Sequence, residues 1–163
     1  MLDKHIIPNF IQEREVFENI KRSVMDPNFP WFYNSTTGSS YDKSDYLFYH
    51  WLYQNGNQVS DHFNPVLMPL LGRLNLNSLL RCKVNLYTKK SKHIKTTFHI
   101  DSPEPHKVAL FSINTNNGYT LFKNKDMVTS VENTMVLFDG QTEHCSVAQT
   151  DENVRININI NYI

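Results

Sequence analysis

Residues 155–161 read Arg155-Ile156-Asn157-Ile158-Asn159-Ile160-Asn161. Odd positions are polar and even positions apolar, the period of an extended strand with two unlike faces. A strand face that simply meets water more often shows Lys, Glu and Thr than one Arg followed by three Asn. Buried amides demand organised partners. The polar face is therefore expected to point inward and line a ligand pocket, with the isoleucines packed on an apolar layer. Arg is the side chain that holds a carboxylate through two parallel hydrogen bonds.

Upstream of this strand the same period recurs. Strands are expected at 81–88, 96–101, 107–114, 118–123, 134–139, 144–149 and 153–162, separated by turn residues such as Asn116-Asn117-Gly118 and Asp139-Gly140. Residues 1–75 read differently, as helices and loops. A first helix is expected over 10–25, capped by Asn9 with Gln12 as its capping-box partner. Phe17, Ile20 and Val24 give it one apolar face, and Asp26-Pro27 stops it. Residues 29–57 are aromatic-rich and broken by Gly38 and Gly56, which suits extended pieces and loops. A second helix is expected over 61–73 with Pro65 in its first turn; Pro69 inside it would cost a backbone hydrogen bond. Many short strands and a few helices predict a mainly β protein with helices (α+β). The expected architecture is a jelly roll with an N-terminal helical layer on one outer face.

The chain has 163 residues, which predicts one domain over 1–163. Lys plus Arg and Asp plus Glu are 16 each. A zero net charge argues against gripping duplex nucleic acid by bulk electrostatics, which needs a basic surplus. No apolar run approaches the roughly 20 residues of a membrane span, and the N-terminus lacks the apolar stretch of a signal peptide. Two cysteines, Cys82 and Cys145, are too few for a disulfide scaffold and read as reduced thiols of a cytoplasmic protein.

The sharpest chemical feature is His99-Ile100-Asp101. In a strand, residues two apart share a face, so an imidazole and a carboxylate would stand side by side. Ser102-Pro103 ends the strand directly after them. His144 begins another expected strand. Two His and one carboxylate on one face of an octahedron leave three positions open, the facial triad of non-haem Fe(II) oxygenases. Such a trio also arises by chance, and Zn(II) or Mn(II) fit the same ligands. Arg155, 11 residues after His144, adds a fixed cation for a small anion. Asn85 and Tyr87 share one face of the strand over 81–88 and could complete that pocket.

Asn85-x-Tyr87, His99-x-Asp101, His144 and Arg155-x-Asn157 together resemble the 2-oxoglutarate- and Fe(II)-dependent dioxygenases, especially small phage and bacterial members. The resemblance is most detailed over 79–163. Phe29-Pro30-Trp31-Phe32-Tyr33-Asn34 and Gly118-Tyr119-Thr120 also resemble stretches of such members. It implies a double-stranded β-helix, a distorted jelly roll. It implies that His99, Asp101 and His144 bind Fe(II) as the catalytic centre. Arg155 would hold the distal carboxylate of 2-oxoglutarate, with Tyr87 donating its hydroxyl to the same end and Asn85 and Asn157 as further cosubstrate contacts. The implied reaction uses O2 to hydroxylate a C–H bond, forming succinate and CO2. The N-x-Y and R-x-N pairs look most like the alkylated-base repair members, but their second Arg on the last strand is absent. Asn161 stands in that region, and no basic nucleotide lid is present. Prolyl-hydroxylase-like members usually carry Lys where Arg155 stands. A peptidyl or small-molecule substrate is favoured over a nucleobase. A cupin-like metal-binding module without redox chemistry is the reading from another class, and it leaves Arg155, Asn157 and Tyr87 unexplained. The likeness to phage members is compatible with a virus-encoded protein acting in the host cytoplasm.

The remaining candidates read more plainly. His5, His50, His62, His93 and His106 are expected at the surface or in loops, Cys145 in packing, and Trp31 and Trp51 in the core or a pocket wall. Substrate-gripping loops are expected at 31–57 and 88–97. The second holds Lys89, Lys90, Lys92 and Lys95, as a solvated lid or a local basic patch.

Overall fold

The computed structural model describes residues 4–36 and 46–163. Part of the aromatic stretch expected at 29–57, including Gly38, lies outside the described residues. The elements run β1 (Lys4–Ile7), α1 (Arg14–Val24), β2 (Phe32–Asn34), β3 (Leu47–Gln54) and β4 (Asn57–Gln58). A π-helical turn (Phe63–Leu67) then runs into α2 (Met68–Leu71). The remaining strands are β5 (Leu79–Thr88), β6 (Lys107–Ser112), β7 (Asn116–Phe122), β8 (Met127–Ser130), β9 (Thr134–Asp139), β10 (His144–Val147) and β11 (Val154–Tyr162).

Two antiparallel sheets result. The larger has eight strands in the order β1-β9-β6-β11-β5-β3-β2, with β4 on β3; the smaller is β10-β7-β8. The alternation along β11 sets the layering. Ile156, Ile158 and Ile160 are buried in one apolar core with Phe17, Ile20 and Val24 of α1 and with Phe111 and Met135. Arg155, Asn157, Asn159 and Asn161 are buried on the other face. The larger sheet is thus a middle layer, with the helices behind it and the smaller sheet in front. The jelly roll with a helical layer is the architecture observed.

Several local expectations need correction. In the first half the extended pieces expected within 29–57 become β2, β3 and β4, while β1 was not expected as a strand. β1 to β4 join the larger sheet, β1 along β9 and β3 along β5. β1, KHII, shows no clean alternation and pairs with residues far downstream, and the aromatic β3 likewise finds its main partner downstream in β5. α1 begins at Arg14, not near residue 10, and its N-cap is Glu13 without a side-chain cap bond. Asn9 instead turns the chain at φ 51°, a conformation Asn tolerates. The helix expected over 61–73 breaks into the π-helical turn and one α-turn. Met68 N–H reaches back to the Phe63 carbonyl. Pro69 then falls in the first turn of α2, where a missing N–H costs nothing. β8 was not anticipated.

Residues 96–101 do not form a regular strand. They make isolated antiparallel bridges, Lys95 with Val147 and His99 with His144. Thr96 Oγ1 accepts the Ser146 N–H at 3.0 Å, taking a place that a ladder carbonyl would fill. His50 and His106 are buried rather than at the surface. His50 bonds the Pro30 carbonyl through Nδ1 at 2.8 Å and Ser60 Oγ through Nε2 at 2.6 Å. The His106 ring lies on Gly140, where a Cβ would come within 2.3 Å of Nε2, so only glycine fits there. Both cysteines are buried, and Cys82 is a free thiol. Among the described residues no helix is long and apolar enough to cross a membrane.

Asn133 fastens the N-terminal segment to the start of β9. Its Oδ1 accepts the Ile11 N–H and its Nδ2 donates to the Ile11 carbonyl, both at 2.9 Å. The residue itself sits at φ 54°. Asn133→Ala loses both bonds and puts in left-handed backbone a residue that tolerates it less well than Asn. Urea denaturation should show a loss of about 2–4 kcal/mol.

Candidate active site

The site lies between the two sheets. β10 and the segment before Asp101 come together because His99 and His144 form a hydrogen-bonded backbone pair, N to O at 3.0 Å in both directions. That pairing brings an imidazole from each segment to one place, their ring centroids 4.8 Å apart. Asp101 joins them, its Oδ1 3.9 Å from His99 Nε2. One ligand atom from each of His99, Asp101 and His144 lies within 4.8 Å of the others.

Each imidazole is held from behind. His99 Nδ1 donates to the Thr97 carbonyl and His144 Nδ1 to the Thr142 carbonyl, each at 3.0 Å. The proton is thereby fixed on Nδ1, and Nε2 keeps its lone pair for a metal. The Phe138 and Phe122 rings flank His144 at 5.1 and 6.3 Å. Burial pushes the His144 pKa down, opposed by the charge of Asp101, so the ring is neutral at neutral pH, as a ligand must be.

Asp101 is the electrostatic centre of this end. Burial alone would raise its pKa. The charge that His144 takes up in acid and that of Arg81, with amide bonds from Asn159 and Asn161, outweigh burial and lower it to about 2. Both amides donate to Oδ2 at 3.0 Å. Arg81 lies 3.2 Å from Oδ1, donates to the Asp101 carbonyl at 2.7 Å, and bonds Asn161 Oδ1. The carboxylate is ionised and cannot rotate without breaking several bonds.

The other end belongs to Arg155. Its Nε donates to Ser130 Oγ at 2.6 Å, one Nη to Ser146 Oγ, and the other Nη to Thr120 Oγ1 at 3.2 Å. These hydroxyls come from β8, β10 and β7, one from each strand of the smaller sheet. The guanidinium also sits 5.3 Å over the Tyr87 ring. Burial pushes its pKa below the usual value, with Tyr87 opposing. No carboxylate pairs with it among the described residues. Three of its five N–H groups are used, so two remain for a ligand. Gly118 permits this packing, since a Cβ there would stand 2.9 Å from Arg155 Cδ.

Between the ends, Asn85 Nδ2 donates to Asn157 Oδ1 at 3.0 Å, and Asn85 Oδ1 is buried with no partner. Turning both amides over keeps their mutual bond and presents an N–H to the cavity instead. Lys83, Asn85, Tyr87, Arg155, Asn157 and the three candidate ligands line one continuous cavity.

The structure therefore brings together all seven residues singled out from the sequence. It adds Arg81, Asn159 and Asn161 around Asp101, and Thr120, Ser130 and Ser146 around Arg155. Arg81 and Lys83 had a legible signal, because they share the parity of Asn85 and Tyr87 on β5. The three hydroxyls had none, because their strands meet Arg155 only across the sandwich. The lysine segment is partly pinned. Lys89 donates to the Asp151 carbonyl at 3.1 Å, and the Lys90 ammonium lies 3.9 Å over the Tyr46 ring.

No protein-family model matches the sequence, and no curated protein matches it. Solved structures do match. An oxidoreductase of the 2OG-Fe(II) oxygenase family from Burkholderia pseudomallei aligns with a TM-score of 0.68 at 10% identity, over 98% of this chain and 84% of that one. The viral collagen prolyl hydroxylase of Paramecium Bursaria Chlorella virus-1, in its 2OG complex, gives 0.61 at 13%, over 98% and 96%. The epimerase SnoN from nogalamycin biosynthesis, in complex with Fe3+ and alpha ketoglutarate, gives 0.64 at 15%, over 99% and 79%. At such identities the likeness defines the fold, which is the jelly roll of the 2OG-Fe(II) oxygenases.

The Asp101 carboxyl sets an acid limit. Its folded pKa lies below its unfolded one, so its stabilisation is complete above about pH 4 and is lost as pH falls toward 2. The lowering corresponds to about 2 kcal/mol. In the metal-free protein, Asp101→Asn should flatten this acid limb in denaturation measured at stepped pH.

Proposed function

We propose that this chain is a single-domain Fe(II)- and 2-oxoglutarate-dependent oxygenase that hydroxylates a C–H bond of a peptidyl or small-molecule substrate. The observation that carries the reading is Arg155. A fully buried guanidinium ringed by three hydroxyls, with no acid of its own, calls for an anion, and the cavity it closes opens onto a His-Asp-His cluster. A cupin-like metal module has no use for such a residue.

In this reading His99, Asp101 and His144 hold Fe(II) through two imidazole Nε2 atoms and one carboxylate oxygen. The donor set suits it: two neutral nitrogens and one anionic oxygen leave coordination positions open. Arg155 takes the distal carboxylate of 2-oxoglutarate with its two remaining N–H groups, and Tyr87 adds its hydroxyl. Asn85 and Asn157 contact the cosubstrate between the two ends. When bound, iron and 2-oxoglutarate supply O2 activation coupled to decarboxylation, yielding succinate and CO2. The chain's own part is positional. Thr97 and Thr142 fix the imidazole protons, Asn159 and Asn161 fix the carboxylate, and the paired sheets exclude water from the charges between them. Hydroxylation is favoured by the prolyl hydroxylase among the matching folds, while SnoN marks epimerisation as the competing outcome.

Anaerobic addition of Fe(II) and 2-oxoglutarate should produce a weak visible charge-transfer band, and admitting O2 should release succinate. Saturating additions without a band would favour the non-redox module. His99→Ala and His144→Ala should each abolish the band while the protein still melts cooperatively.

Arg155→Ala should weaken 2-oxoglutarate binding by about 2–5 kcal/mol, the cost of breaking a buried charge pair. Arg155→Lys should recover part of this, since Lys lacks the planar fork. Unchanged 2-oxoglutarate affinity in the alanine variant would assign Arg155 another role. Calorimetric titration measures both.

A further inference from the structure

Lys83 is a cation that the cosubstrate site does not use. It lies on β5 between Arg81 and Asn85, on the face that lines the cavity. In register it stands beside Asn159 of β11 and Trp51 of β3. Its ammonium lies 5.6 Å from the Trp51 ring centroid and has no hydrogen bond or ion pair among the described residues. Burial pushes its pKa down, with Asp101 opposing and Arg81 reinforcing. A lysine whose only task was to cover Trp51 would extend its ammonium to water, as long cationic side chains ordinarily do.

The other charges are spoken for. Asp101 gives Oδ2 to Asn159 and Asn161 and Oδ1 to Arg81. Arg81 is paired with Asp101. Arg155 faces the distal carboxylate of 2-oxoglutarate. Fe(II) and 2-oxoglutarate would cancel, as Asp101 and Arg81 do, so Arg155 leaves the loaded site with one positive charge before Lys83 is counted, and Lys83 stays uncompensated. Nor does Lys83 reach the Arg155 end. It is four residues from Tyr87, the register partner of Arg155, which is about 13 Å along the strand. It sits at the metal end, where a substrate must present its reacting carbon.

We infer that Lys83 is a substrate-binding residue that receives an anionic group, a carboxylate or a phosphate, on the molecule to be oxidised. Trp51 and Tyr49, the β3 neighbours of Lys83 and Asn85, offer apolar surface beside it for the rest of that molecule. The inference rests on the oxygenase reading and names the substrate class for the same site.

The test uses the full chain loaded anaerobically with Fe(II) and 2-oxoglutarate, and pairs of small probes differing by one charge. N-acetylglutamate amide is compared with N-acetylglutamine amide for the carboxylate, and N-acetylphosphoserine amide with N-acetylserine amide for the phosphate. At least one charged probe should bind about tenfold more tightly than its neutral twin, and which one does identifies the anion. Lys83→Met should erase that preference, Lys83→Arg should retain most of it, and 2-oxoglutarate affinity should stay within about twofold in both. Charged and neutral twins that behave alike on the unmodified protein, including no binding by either, overturn the inference without recourse to any variant. A loss of 2-oxoglutarate affinity in Lys83→Met also overturns it, by assigning Lys83 to the cosubstrate. Failure of the unmodified protein to bind 2-oxoglutarate is seen before any probe is added, and it removes the oxygenase reading and this inference together.

Discussion

One guanidinium joins the two sheets. Arg155 leaves β11 in the larger sheet and donates to a hydroxyl on each of the three strands of the smaller one. A buried cation is costly unless its hydrogen bonds are met. Neutral hydroxyls meet the geometry but not the charge. The protein therefore stores an electrostatic deficit at the point that holds its layers together, and an anion bound there serves the fold and the site at once. Gly118 belongs to the same constraint, since any side chain on it would displace the arginine.

The His-Asp-His end solves the opposite problem. Asp101 is a buried anion, and Asn159, Asn161 and Arg81 satisfy it from within the chain. β11 thus alternates in its partners as well as in its polarity. Arg155 serves one end, Asn157 the middle, and Asn159 and Asn161 the other. The isoleucines between them take no part in binding, yet they anchor the strand to the helical layer and fix where those four side chains point.

Much of this was legible in the sequence because β11 carries its two faces in its own alternation, and because His99-x-Asp101 is local. The sandwich with its helical layer followed from period-two stretches after residue 79. What was not legible depended on distant partners. β3 reads LFYHWLYQ, apolar and polar residues without a clean period, because both faces are covered, one by the core and one by the site. β1 is a strand only because β9 offers it an edge. The burial of His50 and His106 was hidden, since nothing near them in sequence announces the Pro30 carbonyl, Ser60 or Gly140. The expected 96–101 strand failed for a local reason, a threonine hydroxyl competing for a ladder donor. His99 and Asp101 converge all the same, because the single bridge to His144 suffices.

The order of the sheet has a kinetic consequence. β11 is the last strand along the chain but lies in the middle of the larger sheet, between β6 and β5. Those two strands have no contact with each other in the ladder until β11 slots between them. The middle of the sheet must therefore wait for the last strand to pair with partners far upstream, the circumstance that slows β-rich proteins. Until then two unpaired edges stand open beside the apolar layer, the form most prone to associate with other chains. Arg155 lies on that same central strand, so its hydrogen bonds to the smaller sheet form only once β11 is in place.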